Sequence, residues 1–103
     1  MWSSTASHAL HTLAIKVAGA SMEPTLYSGD TVVINTADTE PKDGKVFAIN
    51  YEGEPIVKRL VRDAGQWWAA SNNPNQTLYP RKLCPEGGCL IVGRVVHRQT
   101  ETI

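Results

Sequence analysis

The sequence predicts a mostly β protein, built as a small sandwich or a partly open barrel. Short runs rich in β-branched and aromatic residues recur along the chain at near-regular spacing, and turn-forming residues separate them. Helical periodicity is weak throughout. Many short strands without amphipathic helices are typical of all-β architectures.

The predicted strands follow one another with few residues between them. They lie at residues 11–19, 30–37, 45–53, 55–65, 66–72 and 89–99. Hairpin turns are expected around Glu52–Glu54 and Asp63–Gly65, where glycine supplies the required backbone freedom. A single helical turn is expected around Pro24–Leu26, between the first two strands.

Length and composition limit the possible functions. The 103 residues fit one domain with one core, and ten basic residues balance ten acidic ones. This balance gives no basic excess for a nucleic-acid surface, and no apolar stretch approaches the ~20 residues of a membrane helix. The N-terminal sequence lacks the pattern of a signal peptide, so a cytoplasmic location is expected. Residues 1–10 are expected to be flexible, with residues 11–103 forming the domain.

Two cysteines, Cys84 and Cys89, lie close together on either side of a Pro-Glu-Gly-Gly turn. Two are too few to indicate a secreted disulfide framework. The spacing permits a local bridge, but two free thiols are the preferred interpretation. A zinc site would need further ligands at suitable spacing, and the sequence has none, so we expect no metal.

Ser21 is a candidate nucleophile. Met22-Glu23-Pro24 follows it directly, and proline restricts the preceding residue to extended conformations. Ser21 is therefore expected where a strand ends and a fixed turn begins, a position that can present a hydroxyl. Its nucleophilicity depends on a neighbouring base.

Lys58 is the strongest candidate for that base. None of the three histidines, His8, His11 and His97, lies in a recognisable catalytic setting. Lys58 and Arg59 lie on opposite faces of an apolar strand, so one of them is expected to be sheltered. Burial lowers the pKa of a lysine, whereas arginine stays charged, which favours Lys58 as a proton acceptor. The alternative is that Lys58 extends from an edge strand to solvent.

Three ordered blocks of the sequence form a recognisable pattern. The first block is Gly19–Leu26 with Ser28–Val33, and the second is Asp43–Ile49 with Ile56–Leu60. The third contains Ser71–Pro74, Tyr79–Pro80 and Ile91–Val96. Together these blocks resemble the Ser–Lys peptidases of the S24 family and their relatives, which include the LexA-type and phage CI-type repressors, the UmuD-like mutagenesis proteins and the type I signal peptidases. The family commonly has Gly-Asp where this sequence has Gly44-Lys45, and we interpret this departure as variation in the turn.

The resemblance implies a mostly β domain with Ser21 as nucleophile and Lys58 as general base. It also implies an oxyanion hole formed by backbone N–H groups near Ser21 and Met22. A tetrahedral intermediate would be stabilised there as its negative charge develops. Neither a cofactor nor a metal is implied.

The resemblance further suggests the dimerising, self-cleaving C-terminal domain of a transcriptional repressor. Such a protein would bind operator DNA through an N-terminal domain that is not visible ahead of His11, and an activated RecA filament would promote its cleavage. One alternative is a non-cleaving dimerisation module controlled by an antirepressor protein. In that case an exposed tryptophan of the Trp67–Trp68 pair would be a candidate contact. Another alternative is a signal peptidase-like enzyme that cleaves other proteins.

Overall fold

A computed structural model describes residues 11–85 and 89–99. Every regular element within these ranges is a β-strand, which confirms the predicted fold class. The seven strands are β1 (Thr12–Lys16), β2 (Thr31–Asn35), β3 (Val46–Tyr51), β4 (Glu54–Asp63), β5 (Gln66–Ala70), β6 (Lys82–Cys84) and β7 (Cys89–Gln99). No helix in the described part of the chain is long and apolar enough to cross a membrane.

All seven strands form one antiparallel sheet in the order β1-β2-β7-β3-β4-β5-β6. Strands β3 to β6 pair consecutively, and β7 returns to lie between β2 and β3. A disulfide joins Cys84 in the edge strand β6 to Cys89 in β7, with their Cα atoms 5.3 Å apart. Because these strands are four positions apart in the sheet, the bridge shows that the sheet curls into a half-barrel.

The two faces of the sheet each carry a hydrophobic core, because apolar residues alternate along β3 and β4. Ala48 and Val57 belong to the first core, which also contains the buried residues of the β1–β2 connection. Phe47 and Leu60 belong to the second core, which lies inside the curl. The chain therefore covers one face with a loop and the other by bending the sheet.

Gly93 marks a close approach between β7 and β2. A Cβ atom built there would lie 2.7 Å from Ile34 Cγ2 and would also collide with the Asn35 carbonyl oxygen. This contact lies beside a register shift in the pairing of β2 with β7. Only glycine permits that approach without movement of the backbone.

The six predicted strands are all present, with bounds that differ by a few residues. The predicted turn also occurs, since the Leu26 amide donates to the Met22 carbonyl at 2.9 Å. Strand β6 was not predicted because its three residues follow a polar loop and carry no clear alternation. The prediction of flexibility for residues 1–10 lies outside the described residues.

Candidate active site

Ser21 lies in the connection from β1 to β2, here called the nucleophile loop (residues 17–30). The two ends of this loop are tied together, because the Val17 amide donates to the Asp30 carbonyl at 2.8 Å. Between them, the side chains of Met22 and Leu26 are buried in the first core. Two apolar anchors beside a closed base hold the half-buried Ser21 in a defined position.

The residues after β5 provide a second attachment for this loop. The Asn73 amide donates to the Ser21 carbonyl at 2.9 Å, and Asn73 Nδ2 donates to the Ala20 carbonyl at 2.9 Å. The neighbouring Asn72 donates from Nδ2 to Thr25 Oγ1 at 2.6 Å. These bonds connect the nucleophile loop to the end of the strand that lies beside β4.

Lys58 lies near the middle of β4 and is paired with Phe47 of β3. Strand β5 lies on the other side of β4. Arg59 of β4 pairs with Ala70 of β5, so the next residue after Ala70, Ser71, lies opposite Lys58. Lys58 Nζ donates to Ser71 Oγ at 2.8 Å, and Ser71 is only 8% exposed. A buried hydroxyl therefore holds the end of the lysine side chain.

The surroundings of Lys58 favour its neutral form. Burial is the main cause that lowers the pKa of Lys58, and the positive charge of Lys82 lowers it further. Lys82 lies on β6 with its Nζ 5.5 Å from the centre of the Tyr51 ring, inside the curl of the sheet. The half-barrel thus brings a second cation towards the candidate base.

Ser21 and Lys58 line the same cleft, whose volume is about 280 Å³. One wall comes from the end of β1 and the start of the nucleophile loop, and the other comes from the first half of β4. The lining residues are Ile15, Lys16, Val17, Ala18, Ser21, Met22, Glu54, Pro55, Ile56, Val57 and Lys58. Two extended backbone segments with largely apolar side chains therefore flank the two candidate catalytic groups.

The two candidate catalytic side chains do not contact each other through a hydrogen bond. In the described part of the chain, no hydrogen bond joins Lys58 Nζ to the Ser21 hydroxyl, and the lysine bonds Ser71 instead. The backbone N–H groups of Ser21 and Met22 have no acceptor among the described residues. Neither of these amides, which the resemblance assigns to an oxyanion hole, is therefore committed to another acceptor there.

The histidines lie elsewhere. His11 and His97 are exposed, and neither lines the cleft of Ser21 and Lys58. His8 lies outside the described residues.

The tryptophan pair is not an open apolar surface. Trp67 packs against the second core, while Trp68 lies under the guanidinium of Arg81, 3.9 Å from the ring centre. Trp68 also donates from its indole nitrogen to the Asp63 carbonyl at 3.2 Å. Trp67 also has a guanidinium over its ring, since Arg62 lies 5.5 Å from the ring centre. The two rings lie on opposite faces of the strand, as strand alternation predicts.

The sequence analysis assigned no role to two residues of the site. Ser71 and Asn73 were noted only as part of a motif, without a role. Extending the predicted hairpin register of β4 and β5 would have placed Ser71 beside Lys58. Nothing in the sequence indicates that Asn73 bonds a loop that lies more than fifty residues earlier.

Comparison with known proteins shows the family to which the chain belongs. A sequence model described as "Peptidase S24-like" matches residues 1–96. The chain belongs to the Peptidase S24-like family. This confirms the family expected from the three sequence blocks, and it supports a peptidase domain in general terms.

A relative of the chain is the "HTH-type transcriptional regulator PrtR" of Pseudomonas aeruginosa. The two are 36% identical over 50 residues, which cover 48% of this chain and 20% of the regulator. The match thus covers about a fifth of the regulator, which is longer than this chain.

Proposed function

We propose that this domain is a Ser–Lys endopeptidase that cleaves its own protein, within a repressor similar to the LexA-type and phage CI-type proteins. The observation that carries the proposal is the shared cleft, in which Ser21 and the half-buried Lys58 both line the wall. The family match supports a peptidase, and the similarity to a transcriptional regulator supports the setting.

The chemistry requires Lys58 to be neutral, because an ammonium group has no lone pair to accept a proton. Once deprotonated, Nζ retains N–H groups that donate to Ser71 Oγ and gains a lone pair for the Ser21 hydroxyl. In the proposed reaction Ser21 Oγ attacks the peptide carbonyl while its proton passes to Lys58. The same proton then passes to the departing amine, leaving an acyl-enzyme that water hydrolyses.

The remaining groups have supporting roles in this proposal. The amides of Ser21 and Met22 donate to the oxyanion as it forms, which their lack of other acceptors in the described structure permits. The substrate segment lies extended between the end of β1 and the start of β4. No step needs a metal or an organic cofactor.

The resting contacts support a latent enzyme. Lys58 Nζ is bonded to Ser71 and not to the Ser21 hydroxyl, so the proposed base and nucleophile are not yet in contact. We propose that an activating partner, either an activated RecA filament or an antirepressor protein, shifts the population towards the cleavable arrangement. Homodimerisation through this domain, and operator binding by a separate N-terminal domain, complete the proposed repressor.

The test uses the natural protein with all the sequence that precedes this domain. Wild type, Ser21→Ala and Lys58→Ala are incubated across a range of alkaline pH, and cleavage is followed by gel and intact mass. Wild type should cleave and both variants should not. The matched control is Ser28→Ala, which removes an exposed serine of the same loop and should cleave normally. Equal cleavage by Ser21→Ala and wild type would refute the proposal.

A further inference from the structure

A second cleft lies on the far side of the nucleophile loop, with a volume of about 370 Å³. It is formed where the loop meets the start of β3, the middle of β4 and the second half of β7. Its lining residues are Thr25, Leu26, Gly44, Lys45, Val46, Arg59, Arg94, Val95, Val96, His97 and Arg98. It shares none of its lining residues with the cleft of Ser21 and Lys58.

The lining of this second cleft includes four residues with cationic side chains, which are Lys45, Arg59, Arg94 and Arg98. Arg94 is paired with Asp38 at 2.7 Å, and Arg98 lies 3.9 Å from an Asp30 carboxylate oxygen. Lys45 and Arg59 form no ion pair with any described residue. Four cations facing two carboxylates leave a local excess of positive charge, although the whole chain is formally neutral.

The arginines also have hydrogen-bond donors to spare. Arg59 donates from Nε to Asn72 Oδ1 at 2.9 Å and from one terminal nitrogen to the Gly44 carbonyl at 2.6 Å. Its other terminal nitrogen has no acceptor among the described atoms. Arg94 uses only Nε, on Asp38. These free guanidinium N–H groups, on β4 and on β7 with β3 between them, suit a carboxylate, which accepts two parallel hydrogen bonds.

Apolar side chains complete the lining and restrict the type of anion. Val96 is 45% exposed, beside the partly buried Val46 and Val95. An isolated inorganic anion would leave this apolar surface in water. A nucleic acid would need a larger basic surface, since phosphate contacts supply most of its affinity and the chain has no net charge. A peptide that combines carboxylates with an apolar residue matches both features.

We propose that this second cleft binds an acidic peptide segment of a partner protein, with carboxylates on Arg59, Arg94 and Lys45 and an apolar side chain against Val96. The site does not depend on the chemistry of Ser21 and Lys58, so it stands or falls separately from the peptidase.

The cleft is connected directly to the nucleophile loop. Arg98 donates from a terminal nitrogen to the Thr25 carbonyl at 3.1 Å. Arg59 bonds Asn72, which in turn bonds the Thr25 hydroxyl. A bound carboxylate competes for these donors, so its arrival alters the hydrogen bonds of a residue four positions after Ser21. Peptide binding at this cleft is therefore positioned to bias the loop.

The test measures binding of a short blocked peptide of alternating glutamate and leucine to the natural protein by calorimetry. A twin peptide with glutamine in place of glutamate isolates the role of charge. Lys45→Gln and Arg59→Gln should each weaken binding by roughly three- to tenfold. Lys45 donates no side-chain hydrogen bond within the described structure, so its replacement leaves the fold intact. Arg62→Gln, on the same strand but outside the cleft, is the matched control and should bind normally.

The outcomes separate the possible occupants. The proposal is supported if the glutamate peptide binds more tightly than its glutamine twin and if salt and the cleft variants both weaken that binding. Shifts of the Gly44, Thr25 and Val96 amide resonances on binding would locate the peptide at this cleft. Equal binding of the glutamine twin would overturn it. Binding of pyrophosphate or duplex DNA at this cleft without binding of the acidic peptide would also overturn it. So would affinity that is unchanged in both cleft variants.

Discussion

Ser71→Ala is the substitution that most sharply tests how the site holds its base. It removes the acceptor of the 2.8 Å bond from Lys58 Nζ while leaving both proposed catalytic groups in place. Lys58 is neutral when it reacts, so this bond is one between neutral groups, and such a bond contributes about 1 kcal/mol. If the bond positions the amine for reaction, its loss should slow self-cleavage roughly fivefold.

The assay is the pH–rate profile of self-cleavage, followed by gel. In Ser71→Ala the plateau rate should fall, while the midpoint should move little, because burial is the main cause of the lowered pKa of Lys58. Ser28→Ala is the matched control, since it removes an exposed hydroxyl from the same molecule. An unchanged plateau in Ser71→Ala would refute the positioning role of Ser71.

Three further changes test the scaffold around the site. Asn73→Ala removes a side-chain bond to the nucleophile loop and should slow cleavage with a loss of stability of about 1 kcal/mol, measured by urea unfolding. Gly93→Ala forces a methyl group against the Asn35 backbone and should cost about 3 kcal/mol, seen as a large fall in Tm; an unchanged Tm would contradict the close approach. Reduction of the Cys84–Cys89 bridge should lower stability by about 2 kcal/mol, with Cys84→Ser as the check, since that variant should not respond to reductant.

The strands of the half-barrel were largely predictable because their signals are local. β-Branched runs and glycine turns specify β2 to β5 and β7 without reference to the rest of the chain. The alternation around Lys58 also anticipated that the lysine would be partly sheltered. The curl of the sheet agrees with the partly open barrel, which was one of the two predicted forms. The Cys84–Cys89 bridge was not predictable, because the spacing permitted it without requiring it.

The partners of the catalytic candidates were harder to predict, because they are set by tertiary contacts. Ser71 lies beside Lys58 only through the register of two strands, and Asn73 bonds Ala20 across more than fifty residues. The second cleft likewise gathers Lys45, Arg59 and Arg94 from three different strand regions. A neutral overall composition hides such a local concentration of charge.

The measurement that tests the central claim most directly is the pH–rate profile of self-cleavage in the natural protein. A lowered pKa means that the neutral amine of Lys58 becomes common below the ordinary lysine pKa of about 10.4. The rate should therefore rise with pH to a plateau, and the midpoint of the rise should lie below that value. Lys58→Ala should abolish cleavage at every pH. A rate that does not depend on pH, or cleavage that persists in Lys58→Ala, would contradict the account.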